Sequence, residues 1–300
     1  MTPTLVRNHR DVEPSAPAEA GVRARDWAEI QERMLAPLYE AVYDRLEVGA
    51  ATRVLSLGCG SGLAMLVAAA RGAHVTGVDT DRERLALARA RLLPEAGRDG
   101  AGRDGRRAHP ARSRARLLDG GLPGAADGAA YDLADGAAYD LVTAFEPIGC
   151  AAGDSAGLAP ALESAVAVSR RGAAVVLTGW GPPERCATSE VLGVANRLAE
   201  AAREPGAGGR RPVLRDELED VAARAGLKPD GSGRVSCPFG YADTGSAVRG
   251  LLSTGLFDAA VHATDRCQVE KEVAEALHPY RRRDGTVWMP NVFRYLVCTA

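Results

Sequence analysis

The sequence has almost no lysine: Lys228 and Lys271 stand alone, and the rest of its 37 basic residues are arginines. That skew, together with abundant Ala and Gly, reads as a GC-rich coding background rather than as chemistry. Net charge is also nearly absent. The 37 basic residues face 39 acidic ones for a formal charge of −2, so no whole-protein field draws the chain toward nucleic acid or membrane. None of the six cysteines falls in a C-x-x-C spacing, which argues against a zinc module or a disulfide framework, and no metal site is expected. Reduced thiols in a cytoplasm are the expectation. No apolar run approaches the ~18 residues that span a bilayer, and the opening MTPTLVRNHRDVEPSAPAEAG has no hydrophobic stretch of a signal peptide.

What is present is globular in kind. Hydrophobic residues make up 46% and charged residues 25% of 300 residues, enough for one long open α/β sheet with a full core. Residues 1–22 are polar and aperiodic and read as a disordered tail, with order beginning near Trp27. From Asp26 to Leu46 the residues Trp27, Ile30, Met34, Leu35, Leu38, Val42 and Leu46 recur at helical spacing. Pro37 should kink or split that helix. Strand, glycine turn and helix follow at Arg53–Leu57 and Leu63–Ala70, then strand His74–Val78 and helix Arg82–Leu93. This βαβα alternation predicts a parallel sheet. Further strands are expected at Ala115–Leu118, Tyr139–Ala144, Ala173–Thr178, near Val235 and at Val292–Cys298. Helices are expected at Ala156–Ser169, Thr188–Ala202 and Leu214–Ala225, and a helical insertion over Ser246–Tyr280 reads as a lid. The arginine-bearing stretch 94–114 lacks aromatics for base stacking and reads as a solvated loop. The octapeptide ADGAAYDL occurs at 126–133 and again at 134–141, as a tandem duplication would leave it. Its first copy is assigned to an enlarged loop.

The chemistry lies in VLSLGCGSGLAMLVAAARGAHVTGVDTD. Gly58, Gly60 and Gly62, with Cys59 between the first two, follow the first strand and let the backbone approach a ligand closely. Asp79, with Thr80 beside it, ends the second strand 19 residues after Gly60. There a carboxylate can accept hydrogen bonds from both ribose hydroxyls of an adenosine-bearing cofactor. Dinucleotide sites use G-x-G-x-x-G, whereas here the third glycine arrives one residue early. An NAD-dependent oxidoreductase is therefore the disfavoured rival.

VLSLGCGSG with VTGVD resembles motif I and the acidic loop of class I S-adenosylmethionine-dependent methyltransferases, in particular bacterial type 11 small-molecule enzymes. The likeness extends over roughly residues 25–299. It implies a doubly wound, Rossmann-like sheet of seven strands with the last antiparallel, S-adenosyl-L-methionine as cofactor and S-adenosyl-L-homocysteine as product. The implied divisions are a cap over 23–50, a core over 51–240, a lid over 241–285 and the terminal strand at 286–300. LLDGGLP resembles the family's adenine loop, which puts Asp119 and Gly120 near the base, and YDLVTAFEP resembles the segment under the methyl donor, which puts Phe145 there. Ser56 stands where the family has an acid that helps bind the methionine end.

Glu146, directly after the fourth strand, is the first candidate for contact with cofactor or acceptor and for general base. His262 in the lid is the second. Trp27, Tyr39 and Trp180 could wall an acceptor pocket or cover the sulfonium with a ring face. The expected acceptor is a small organic molecule or short peptide methylated at O or N, in specialised metabolism; neither nucleic acid nor membrane is expected as a partner, and a homodimer is admitted. A methyltransferase-shaped binding protein without turnover is the non-enzymatic alternative.

Overall fold

The computed structural model describes residues 17–93, 114–120, 138–150, 154–201 and 216–300. Most of the tail, all but the last residue of the arginine-bearing stretch, the first octapeptide copy and the first half of the second lie outside these residues.

Nine strands and ten α-helices are formed by the described residues. Helix α1 (Pro17–Asp26) opens them, so order starts about a turn and a half before the expected end of the tail at 22 and ten residues before Trp27. The expected 26–46 helix is split. Trp27–Gln31 winds as a π turn, Glu32–Leu35 as a 3₁₀ turn, and α2 (Ala36–Arg45) carries Pro37 in its first turn, where the missing N–H costs nothing.

Strands β1 (Arg53–Leu57), β2 (His74–Asp79), β3 (Ala115–Asp119), β4 (Tyr139–Ile148), β5 (Ser169–Trp180), β6 (Lys228–Ser236) and β9 (Val292–Thr299) make one sheet. Its order is β3-β2-β1-β4-β5-β9-β6. The pairs among β1 to β5 are parallel, and β9 runs antiparallel to both β5 and β6. The seven-stranded Rossmann-like sheet with an antiparallel last strand is thus as expected. Between them run α3 (Leu63–Ala70), α4 (Arg82–Leu92), α5 (Leu158–Ala167), α6 (Ala187–Ala201) and α7 (Glu217–Arg224).

Alternation along the strands builds two cores. Leu55, Leu57, Val142, Val175 and Leu177 face α5 and α7 with Leu162, Leu218 and Val221. Val54, Leu141, Val176, Phe293 and Val297 face the other way, onto a larger core with Leu38, Val42, Met65, Leu85 and Leu251. Burying each such side chain contributes about 1.5–3 kcal/mol.

The expected insertion is helical: α8 (Thr244–Ser253), α9 (Asp258–Ala263), α10 (Arg266–Ala276) and a 3₁₀ turn at His278–Tyr280. Asp243 caps α8 by accepting from Ser246 N–H at 2.7 Å, and Asp265 caps α10 by accepting from Gln268 N–H at 2.9 Å. A two-stranded ribbon of β7 (Phe239–Tyr241) and β8 (Val287–Met289) closes the base of this insertion and was not anticipated. Arg23 pairs with Asp258, and Arg249 with Asp26, so the insertion is tied to α1.

Candidate functional site

The glycine turn leaves β1 with Gly58, Gly60 and Gly62 at φ of 60°, 56° and 82°, in the left-handed region that L side chains avoid. Gly62 seats the start of α3 against Ala88 and Leu92 of α4. Asp79 pins the turn from the neighbouring strand: one carboxylate oxygen accepts from Gly60 N–H at 2.6 Å and the other from Asp81 N–H at 2.8 Å. Each oxygen retains acceptor capacity for a further donor. Gly77 of β2 must be glycine, because a Cβ there would lie 2.4 Å from Met65 Sδ and 2.8 Å from Cys59 Sγ. Burial pushes the Cys59 thiol up to about 12, which leaves it a packing group at neutral pH.

The turn is roofed by the N-terminal segment. The π turn shifts the helical register so that Gln31 and Glu32 both point inward, each 2% exposed. Glu32 reaches the head of α3. It accepts from the Ser61 hydroxyl, from Arg91 at 2.9 Å and, at a long 3.4 Å, from Leu63 N–H. Arg91 also donates to Ser61 O at 2.9 Å, which locks the N-terminal segment, the turn and α4 together. Trp27 lies beside Glu32, with the Arg84 guanidinium 4.4 Å from its ring centroid. Its Nε1 is shielded from solvent and has no hydrogen-bond partner among the described residues. Such an orphan costs about 1–3 kcal/mol unless something else accepts from it.

The far wall comes from β4. Phe145 packs on Tyr39, ring centroids 4.8 Å apart, and Glu146 follows at the opening. The protein around Glu146, with Asp79, Asp154 and Asp81, raises its carboxyl pKa, while Arg84 opposes the rise. Burial, together with Glu32 and Glu146, holds the Tyr39 phenol well above its usual value. The resulting cleft, about 350 Å³ including its open mouth, is lined by Trp27, Glu32, Tyr39, Ser56, Gly58, Cys59, Gly60, Ala64, Arg84, Phe145 and Glu146.

Eight of the expected residues therefore meet in one cleft: Trp27, Tyr39, Ser56, Gly58, Cys59, Gly60, Phe145 and Glu146. Asp79 and Gly62 brace its floor. Asp119 lies opposite Asp79 on the next strand and pairs with Arg82 at 3.3 Å, while Gly120 N–H donates to Asp79 O at 2.9 Å. Thr80 is exposed beyond the end of β2. Two residues are placed elsewhere. Trp180 sits in a cluster with Phe239 and Phe293, its ring 4.6 Å from that of Phe293, because the antiparallel β9 sets Phe293 opposite it. His262 is exposed on α9, away from the cleft lining. Glu32, Arg84 and Ala64 were not anticipated. Glu32 could have been noticed as an acid inside an apolar helical run, but only the π turn brings it inward.

The family model described as "Methyltransferase domain" matches residues 55–98, which span β1, the glycine turn, β2 and α4. No curated protein matches. Among solved structures, the chain is similar to an S-adenosylmethionine-dependent methyltransferase of Geobacter sulfurreducens in complex with S-adenosyl-L-homocysteine, at 19% identity, covering 92% of this chain and 97% of that one with a TM-score of 0.45. A methyltransferase of Thiobacillus denitrificans, also with S-adenosyl-L-homocysteine, gives 19% identity, 93% and 98% coverage and 0.45. Geranyl diphosphate C-methyltransferase of Streptomyces coelicolor gives 15% identity, 88% and 75% coverage and 0.42. The matched segment carries the pattern of that methyltransferase domain, and it sits on the β1–β2 part of this sheet. Among the described residues, no helix is long and apolar enough to cross a membrane.

Proposed function

We propose that the protein transfers a methyl group from S-adenosyl-L-methionine to an oxygen or nitrogen of a small organic molecule or short peptide in specialised metabolism. The observation that carries the reading is the cleft itself. It lies at the carboxyl ends of β1 and β4, where open α/β sheets bind ligands, with a positive-φ glycine turn held by Asp79 on its floor. The residues present fit an adenosyl amino acid: a backbone without Cβ atoms to approach, a carboxylate with free acceptor sites for a sugar, and an unpartnered indole N–H in the roof.

When bound, the cofactor supplies a methyl group on a positively charged sulfur. The chain's own contribution is orientation and exclusion of water. Asp79 and the glycine turn would hold the adenosyl part, and Phe145 and Tyr39 would wall the space toward the acceptor. Glu146, at the mouth with a raised pKa, would take the proton from an amine or hydroxyl acceptor. In this reading residues 23–50 are a cap, 51–240 with 286–300 the core and 241–285 a lid. Its setting is the cytoplasm, which six unpaired cysteines support. The protein acts as a monomer or homodimer, which sedimentation distinguishes.

The test is incubation with isotopically labelled cofactor and a panel of amine, hydroxyl and carboxylate acceptors, read by mass spectrometry. Label gained by one acceptor supports the reading. Saturable cofactor binding with no transfer to any acceptor, and no slow release of the demethylated product, favours the binding protein without turnover.

A further inference from the structure

Two buried polar atoms over Gly60 are not used up by the fold. Trp27 Nε1 is a donor without an acceptor among the described residues. Glu32 has its Oε2 engaged by Ser61 and Arg91, but among the described residues its Oε1 meets only the long contact from Leu63 N–H. Both atoms converge on one place: a Cβ on Gly60 would lie 3.3 Å from Nε1 and 3.4 Å from Oε1. A buried donor beside a buried anionic acceptor is the complement of an α-amino acid, which presents a carboxylate and an ammonium on one carbon. Ser56, also in the lining, offers a hydroxyl and no charge. The other carboxylate in the lining, Glu146, stands beside Gly58 instead.

Resting on the reading that this cleft takes S-adenosyl-L-methionine, we propose that Trp27 and Glu32 hold the amino-acid end of the cofactor. Glu32 Oε1 accepts from the ammonium and Trp27 Nε1 donates to the carboxylate. Arg91 fixes Glu32 from its other oxygen, and Asp79 holds Gly60 through its N–H, so the turn lies between a sugar-binding carboxylate and an amino-acid clamp. The N-terminal cap is then part of the cofactor site, and Trp27 is a cofactor ligand instead of an acceptor wall.

The test is calorimetric titration of the full chain with S-adenosyl-L-homocysteine and with 5′-methylthioadenosine, which keeps the nucleoside and thioether but lacks the amino acid. Trp27→Phe keeps the ring and the Arg84 stack, and Glu32→Gln keeps the shape. Each is expected to weaken S-adenosyl-L-homocysteine about tenfold or more, as loss of a hydrogen bond to a charged group does, and to leave 5′-methylthioadenosine within about twofold. Equal loss for both ligands, or no loss for S-adenosyl-L-homocysteine, overturns the proposal. If Glu32→Gln does not fold, Trp27→Phe decides alone. A wild-type protein that binds both ligands equally overturns the clamp and leaves the cofactor reading standing; one that binds neither overturns the cofactor reading itself.

Discussion

Asp79→Asn preserves side-chain shape while removing a charge and one acceptor. In the fold the two carboxylate oxygens accept from Gly60 N–H at 2.6 Å and from Asp81 N–H at 2.8 Å. An amide has one oxygen, so one of these backbone donors is left facing an NH₂ group. A half-buried orphan donor costs about 1–3 kcal/mol. At about 2 °C for each kcal/mol, the low end suited to a chain of this length, the melting temperature falls by roughly 2–6 °C. The same change removes the charged acceptor assigned to the ribose, and charge-assisted bonds are about twice as strong as neutral ones. The dissociation constant for S-adenosyl-L-homocysteine should rise at least about tenfold. Thermal melts followed by circular dichroism, with and without excess ligand, read both effects, since bound ligand raises stability with the logarithm of its concentration relative to the dissociation constant. A variant that melts and binds as the wild type does would refute the assignment of Asp79.

Arg91→Met leaves Glu32 buried without its cation. The loss should be about 2–4 kcal/mol in urea unfolding, somewhat below a fully buried pair because Arg91 is 25% exposed, and Glu32→Gln added to it should recover part of the loss. Gly77→Ala drives a Cβ into Met65 and Cys59 and should cost about 1–3 kcal/mol or more in the same assay while displacing the glycine turn. Glu146→Gln tests the raised carboxyl. An acid whose folded pKa lies above its ordinary 4.5 loses stability as pH rises through the folded value, so the variant should melt higher than the wild type at neutral pH and equally at pH below 4.5. If Glu146 is the base, the variant also loses the rise in transfer rate across that pH window; a rate profile unchanged in shape removes it from that role.

The elements that position the cleft were legible because their signals are local. The apolar RVLSL run, the closely spaced glycines and the acid after VTGV each specify strand, turn and strand end without help from distant residues. In the structure Asp81 caps α4, accepting from Glu83 and Arg84 N–H at 3.0 Å. The roof was not legible in this way. Glu32 turns inward only because Trp27–Gln31 takes an extra residue per turn, and nothing in WAEIQ favours that over an ordinary helix outside its tertiary setting. The β7–β8 ribbon pairs three-residue strands nearly fifty residues apart, too short for alternation to show. Trp180 follows a parallel strand, which suggested the ligand edge, but the antiparallel β9 brings Phe293 against it and commits the ring to packing. His262 has the right chemistry on a helix packed mainly against α6 and α10, a matter of tertiary docking alone.

The most direct measurement is calorimetric titration of the purified full-length protein with S-adenosyl-L-homocysteine and, separately, with NAD. The cleft over Gly58, Gly60 and Asp79 predicts saturable one-to-one binding of the first and none of the second. Saturable uptake of NAD, or no uptake of the adenosyl amino acid at any concentration reached, would contradict it.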